Sequence, residues 1–188
     1  MRIAPPRSVE TIFIGGGTPG VLSPDELSEL CEIVREKSGD AVKEWSVELA
    51  PNEVTPEKLA ALKAGGVTRV SLGVQTFDAA LLGEMGRRHP PEKALSAYDL
   101  IRDMGFESVN LDLIFGAPGQ TIEQWEGDLS RSVELSPDHI STYCLTFEED
   151  TALYARLAKG ELSIDPEREA AFYELAWEYL PSRGYGQY

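Results

Sequence analysis

Thr11-Ile12-Phe13-Ile14-Gly15-Gly16-Gly17-Thr18-Pro19 is a short apolar run that ends in three consecutive glycines. It reads as a buried strand whose C-terminal edge presents bare backbone N–H and C=O groups, with no side chain to keep a ligand away. In α/β proteins that edge is where ligands bind. Taken alone, the triplet could equally be a tight turn. Its weight comes from further along the chain, where other strand-like runs also finish on isolated polar residues.

Such runs occur at Thr11–Ile14, Trp45–Leu49, Arg69–Val74, Ser108–Phe115 and His139–Leu145, and segments of helical period alternate with them. That alternation predicts an α/β fold, a parallel sheet with crossover helices. The runs are rich in Val, Ile, Leu and aromatics and show no steady polar alternation, so strands buried on both faces are expected. Ser23-Pro24-Asp25-Glu26 supplies an N-cap, a proline at the first helical position and a Glu three residues on. Leu27, Leu30, Cys31 and Val34 then recur at helical spacing up to Gly39. Thr55-Pro56-Glu57-Lys58 opens a second helix that Gly65-Gly66 stops; a third begins near Pro91 and ends before Gly105. Thr121-Ile122-Glu123-Gln124 opens a fourth, and the last runs from about Pro166 to Leu180. No Ser- or Gly-rich linker divides residues 1–188, so one domain is expected. Right-handed crossovers leave an open doubly wound sheet or a partial (β/α) barrel, and polar residues at several strand ends favour the barrel.

The charge balance narrows the partners. Seventeen Lys and Arg against 32 Asp and Glu give a net charge of −15, which argues against a nucleic-acid surface and against anionic membranes. No apolar run approaches the ~20 residues of a membrane span, and the first residues do not read as a signal peptide. Cys31 and Cys144 are far apart and lack metal-ligand spacing, so they read as reduced thiols of a cytoplasmic protein, with Cys31 in the core.

Three later strands carry the polar residues: Glu48 between Val47 and Leu49, Gln75 after Val74, and Asp112 within Asn110-Leu111-Asp112-Leu113. A carboxylate in an apolar strand costs several kcal/mol unless paired or hydrogen-bonded. Together with Gly15–Gly17 they suggest a polar pocket suited to a ligand with hydroxyls and an ammonium group, such as a ribose or an amino acid. Arg87 could hold a carboxylate in bidentate fashion. The plain alternatives are that Asp112 caps a loop and that Arg87 and Arg88 form a solvated pair. His89 and His139 are isolated and read as surface or satisfied core rather than metal or heme ligands, and neither a P-loop nor a nucleophilic triad is present.

Read in order, Gly15-Gly16-Gly17-Thr18-Pro19, Ser46-Val47-Glu48-Leu49-Ala50-Pro51, Ser71-Leu72-Gly73-Val74-Gln75-Thr76-Phe77, Leu82 through His89, and Asn110 through Thr121 resemble the radical S-adenosylmethionine (SAM) proteins of the oxygen-independent coproporphyrinogen III oxidase family. Pro118-Gly119-Gln120-Thr121, Met85-Gly86-Arg87-Arg88-His89 and Asp138 through Tyr143 resemble its heme chaperone branch. The resemblance implies a partial (β/α) barrel of the radical SAM type, with a [4Fe–4S] cluster and SAM at the C-terminal strand ends. It also implies that Gly16, Gly17 and Thr18 line the SAM site, that Glu48 binds a ribose or amino group, and that Gln75, Arg87 and Asp112 complete the polar wall. The implied ligands are SAM and heme or a porphyrin(ogen), with membrane respiratory enzymes as receivers of heme. The implied alternative is coproporphyrinogen III dehydrogenase.

Two departures qualify the resemblance. The family holds its cluster on a Cys-x-x-x-Cys-x-x-Cys loop N-terminal to the glycine strand, and no cysteine precedes Thr11 here. Glu148-Glu149-Asp150-Thr151-Ala152 replaces the chaperone branch's Glu-Pro-Gly-Thr-Pro turn. The chain thus resembles an internal portion of such a protein, with no catalytic or metal-binding residue assigned. It is expected to be inert alone and, with Thr11–Ile14 as an unpaired edge, to self-associate.

Overall fold

The computed structural model describes residues 9–87 and 89–188. Five strands, β1 (Thr11–Ile14), β2 (Glu44–Leu49), β3 (Arg69–Gln75), β4 (Ser108–Phe115) and β5 (His139–Cys144), form a sheet in the order β1-β2-β3-β4-β5. That order never doubles back, whereas a doubly wound sheet reverses at its switch point. The β1–β2 and β2–β3 pairs are parallel. Helix α1 (Pro24–Ser38) joins the first pair, α2 (Pro56–Gly65) the second. Further along come α3 (Ala79–Glu84), α4 (Pro91–Asp103), α5 (Ile122–Leu135), α6 (Ala152–Ala158) and α7 (Pro166–Ser182). The short α3 and α6 have no counterpart in the sequence reading, because neither is long enough to repeat an apolar stripe.

The chain divides into two compact units, residues 1–73 with 93–110 and residues 74–92 with 111–188. In the first, the register sets Ser46 beside Arg69 and Glu48 beside Ser71. In-register neighbours share a face, so Glu44, Ser46 and Glu48 stand on the same side as Arg69 and Ser71, and Trp45, Val47 and Leu49 on the other with Val70 and Leu72. The strands therefore alternate, contrary to the expectation of two apolar faces. The polar face is easily mistaken for core because its residues are themselves buried: Ser46, Ser71 and Asn110 are inaccessible. Their hydrogen bonds make that burial tolerable, Asn110 Nδ2 donating to Ser71 Oγ at 2.6 Å and Ser46 Oγ to Glu44 Oε1 at 3.0 Å. The apolar-side residues Trp45, Val47, Val70 and Leu72 are buried, as are Leu27 and Cys31 of α1 and Leu59 and Leu62 of α2.

The helix starts obey the local signals. Ser23 and Glu26 form a reciprocal capping box at α1, and Thr121 and Gln124 form another at α5. The second unit has an aromatic core: Phe115 packs on Trp125 and Phe172 with centroids 5.2 and 6.0 Å apart, and Trp125 Nε1 donates to the Phe172 carbonyl at 3.0 Å.

Gly65 is set by packing as well as by its position at the end of α2. A Cβ there would lie 2.5 Å from Cys31 Sγ, an impossible distance. Gly65→Ala is expected to destabilise the chain by about 1–3 kcal/mol through overpacking. The Cys31 Cβ would lie 2.6 Å away as well, so adding Cys31→Ala should recover only a minor part of that loss, as read by urea denaturation of the single and double variants.

Candidate ligand-binding site at the strand ends

Beyond β1 the chain turns through Gly15, Gly16 and Gly17, the last two at φ +72° and +57°. L-residues rarely adopt those angles, which accounts for glycine at both. A Cβ on Gly16 or Gly17 would meet nothing within 4 Å, so this backbone is open. Gly15 is the reverse: a Cβ there would sit 2.7 Å from the Glu48 carboxyl and 2.6 Å from the Phe13 ring. The missing side chain lets Glu48, late in β2, reach across to β1, where its Oε2 accepts the Gly16 N–H at 3.1 Å. The structure thus brings together two of the sequence-predicted residues, Gly16 and Glu48. Thr18 is exposed beside them, and its hydroxyl donates to the Gly17 carbonyl at 2.5 Å.

In the second unit, Gln75 closes β3 at φ +70°. The Thr76 N–H donates back to the Val74 carbonyl at 2.9 Å, closing a three-residue turn centred on Gln75. A positive central φ makes this the rare and strained form of γ-turn, and such a backbone costs on the order of 1–3 kcal/mol. Residues 77 and 78, just past this turn, are tied down by α5. The Phe77 N–H donates to Asp128 Oδ1 at 2.7 Å, and Gln124 Nε2 to Asp78 Oδ2 at 2.8 Å. Asp78 Oδ1 caps α3 by accepting from the Ala80 and Leu81 N–H groups. Those bonds, Leu81's foremost, hold the Asp78 carboxyl below its usual pKa.

Asp128 is the site residue that sequence reasoning missed. It is buried, and burial pushes its pKa up to about 6 against the pull of the Phe77 N–H and the Thr76 hydroxyl. A signal existed: Trp125, Asp128, Leu129 and Ser132 are the buried positions of α5, so a carboxylate stands on the helix's inward stripe. Gln120 was likewise read only as part of a motif. Its buried Oε1 accepts from the Gly116 N–H at 2.7 Å and the Ala117 N–H at 3.3 Å, shaping the loop after β4.

Asp112 is half-buried in β4 between the buried Leu111 and Leu113. Arg87 lies beyond α3 and is exposed; Arg88 lies outside the described residues. His89 is buried, and burial lowers its pKa. His139 Nε2 is 2.5 Å from the Tyr188 hydroxyl. Asp150, at the position of the chaperone branch's glycine, keeps a left-handed φ of +66°, which Asp tolerates better than most residues. The turn's backbone thus takes a left-handed residue there although the glycine is gone.

Wound β/α strands with open glycines and polar groups at their carboxyl ends define an α/β scaffold of the (β/α) type. The Radical SAM superfamily model matches residues 1–131, and the chain belongs to that family. It is 39% identical over 183 residues to the heme chaperone HemW of Bacillus subtilis, covering 96% of this chain and 48% of that protein. To the heme chaperone HemW of Escherichia coli it is 37% identical, covering 97% and 48%. The chain therefore spans about half the length of these curated relatives. Among solved structures it resembles coproporphyrinogen III oxidase (HemN) from Escherichia coli, with a TM-score of 0.81 at 31% identity over 96% of this chain and 42% of that one. These matches bear out the partial (β/α) barrel of the radical SAM type and the kinship with the coproporphyrinogen oxidase family and its heme chaperone branch.

The family implies SAM and a [4Fe–4S] cluster, and the two fare differently here. The Gly16–Gly17 backbone, left open where any Cβ would stand, and the carboxylate of Glu48 fit an adenosyl amino acid. The cluster does not fit: the chain has two cysteines, one buried against Gly65 and the other half-buried, and three thiolates are needed. Among the described residues no group of three His, Cys, Asp or Glu could hold a metal ion, and no helix is long and apolar enough to cross a membrane.

Gly15→Ala is expected to displace the Glu48 carboxyl and weaken SAM binding at least ~10-fold, a loss of about 1.4 kcal/mol, as measured by equilibrium dialysis. Asp128 binds its proton more tightly folded than unfolded, so its contribution to stability falls as pH rises from about 4 to about 6 and is flat above. The fall approaches ~3 kcal/mol at about 1.4 kcal/mol per pKa unit. Asp128→Asn should lack it, so the wild-type minus variant difference in urea stability should become more unfavourable across that window.

Proposed function

We propose that this chain is the SAM-binding part of a heme chaperone, a cytoplasmic protein that binds SAM and heme and delivers heme to membrane respiratory enzymes. The observation that carries the SAM half is the Glu48 carboxylate held on the Gly16 N–H beside open glycine backbone at the ends of β1 and β2. In this reading Gly16, Gly17 and Thr18 receive the amino-acid end of SAM, and Glu48 takes its ammonium or a ribose hydroxyl. Gln75, Arg87 and Asp112 supply the remaining polar wall, with Arg87 suited to a carboxylate. The heme half is supported by the names of the relatives at 37–39% identity.

The second reading is coproporphyrinogen III dehydrogenase, radical decarboxylation of two propionates, favoured by the likeness to HemN. SAM, when cleaved reductively at a cluster, would supply the radical; this chain's own residues would bind and orient it. With two cysteines the 188 residues alone are expected to be inert.

Equilibrium dialysis of this chain against SAM should show saturable binding that Glu48→Ala weakens ~10-fold or more, the worth of a lost charge-assisted hydrogen bond. Absence of saturable binding would refute the SAM pocket. A full-length protein carrying this chain should develop a shifted Soret band with heme and form no protoporphyrinogen after reconstitution. Protoporphyrinogen formation would favour the second reading.

A further inference from the structure

We infer that Asp128 is the positioning residue for Gln75: from α5 it imposes the strained turn at the end of β3, and ligand affinity at that strand end depends on it. The affinity part rests on the SAM-pocket reading above; the conformational part does not.

Gln75 holds φ +70° without being glycine, and nothing within residues 74–76 except the Thr76 N–H to Val74 carbonyl bond favours that state. Such a backbone persists only where its surroundings over-determine it, and strained residues of this kind cluster at ligand sites. The over-determination here comes from outside the loop. Thr76 is fully buried, so the chain leaving Gln75 has no freedom to swing into solvent. The next N–H, that of Phe77, is received by Asp128 Oδ1 at 2.7 Å. One residue further, Asp78 is clamped between the α3 N-terminus and Gln124. Thr76 Oγ1 also accepts the Asp78 N–H at 3.0 Å.

Asp128 has no other evident structural use. Its Oδ2 is buried with no hydrogen-bond partner among the described residues. A carboxylate kept buried, with one oxygen unmatched, costs stability. If filling α5's inward stripe were all that mattered, a leucine would do it better. The groups that bond its carboxyl, the Phe77 N–H and the Thr76 hydroxyl, both belong to the two residues just beyond Gln75. Without that acceptor, the part-buried Phe77 N–H would lose its partner, and relaxing the 75–77 backbone to a negative φ at Gln75 becomes the favourable way to satisfy it. The Gln75 side chain would then leave the β3 tip in another direction.

The test is a double-mutant cycle with the full 188-residue chain, using SAM as probe in equilibrium dialysis alongside amide hydrogen exchange. Asp128→Leu should speed exchange of the Phe77 amide selectively, beyond any change in global stability, and weaken SAM binding by about as much as Gln75→Ala. In the Gln75→Ala background, Asp128→Leu should cost no further affinity, within a factor of ~2. Asp128→Asn keeps an acceptor oxygen and should retain both the Phe77 protection and the affinity. A Phe77 amide still protected in Asp128→Leu would overturn the conformational part. Independent, additive losses in the cycle would overturn the coupling to Gln75. If the wild-type chain binds no SAM, the pocket reading and the affinity part fail together, while the exchange data still decide whether Asp128 sets the turn. Where Asp128→Leu fails to fold, Asp128→Ser with the same readouts takes its place.

Discussion

In a parallel sheet wound one strand after another, register decides which side chains share a face, and this protein's chemistry hangs on that parity. Ser46 opposite Arg69 and Glu48 opposite Ser71 put every polar strand residue of the β2–β3 pair on one face and every large apolar one on the other. A slip of one residue would carry Trp45, Val47 and Leu49 to the polar side and drive Glu44 and Glu48 into the core. The apolar side therefore fixes the register, and the register delivers Glu48 to the strand end.

The polar face is a structural layer before it is a binding surface. Ser46, Ser71 and Asn110 are inaccessible, and the last two bond each other at 2.6 Å. Arg69 Nη1 reaches Glu44 at 3.3 Å. Short polar side chains that satisfy one another fill the middle of this face, while Glu48, late in β2, stays half-buried. That division explains how carboxylates can sit in strands that otherwise look like core.

Each strand end solves its backbone problem differently. After β1, two glycines take positive φ at little cost and leave the main chain bare. After β3, a glutamine takes the same kind of angle, and α5 offsets the strain through Asp128 and Gln124. After β4, Gly116 bends the chain at φ +80°, and Gln120 receives the N–H groups of Gly116 and Ala117. Glycine serves where the backbone must be approached closely. Where a side chain takes such an angle instead, a buried polar partner on a neighbouring helix holds the backbone beside it.

Much of this was legible in the residues alone. Capping boxes at Ser23 and Thr121, prolines at helix starts and the glycine triplet are local signals, and local hydrogen bonding enforces them. The ordered motifs carried the family, and Glu48 stood out as a charge inside an apolar run. The polar face went unrecognised because serine, glycine and asparagine between aliphatic residues read as interruptions, and only cross-strand pairing turns them into a layer. Asp128 stood on the inward stripe of α5, but its role was illegible for a related reason: its partner, the Phe77 N–H, lies 51 residues away. Sequence by itself determined the elements, their winding and the candidate ligand groups, since those arise from periodicity, caps and short-range chemistry. Tertiary structure alone decided which face each strand residue occupies and which distant carboxylate holds Gln75 in its strained turn, because both depend on contacts between segments that no local pattern encodes.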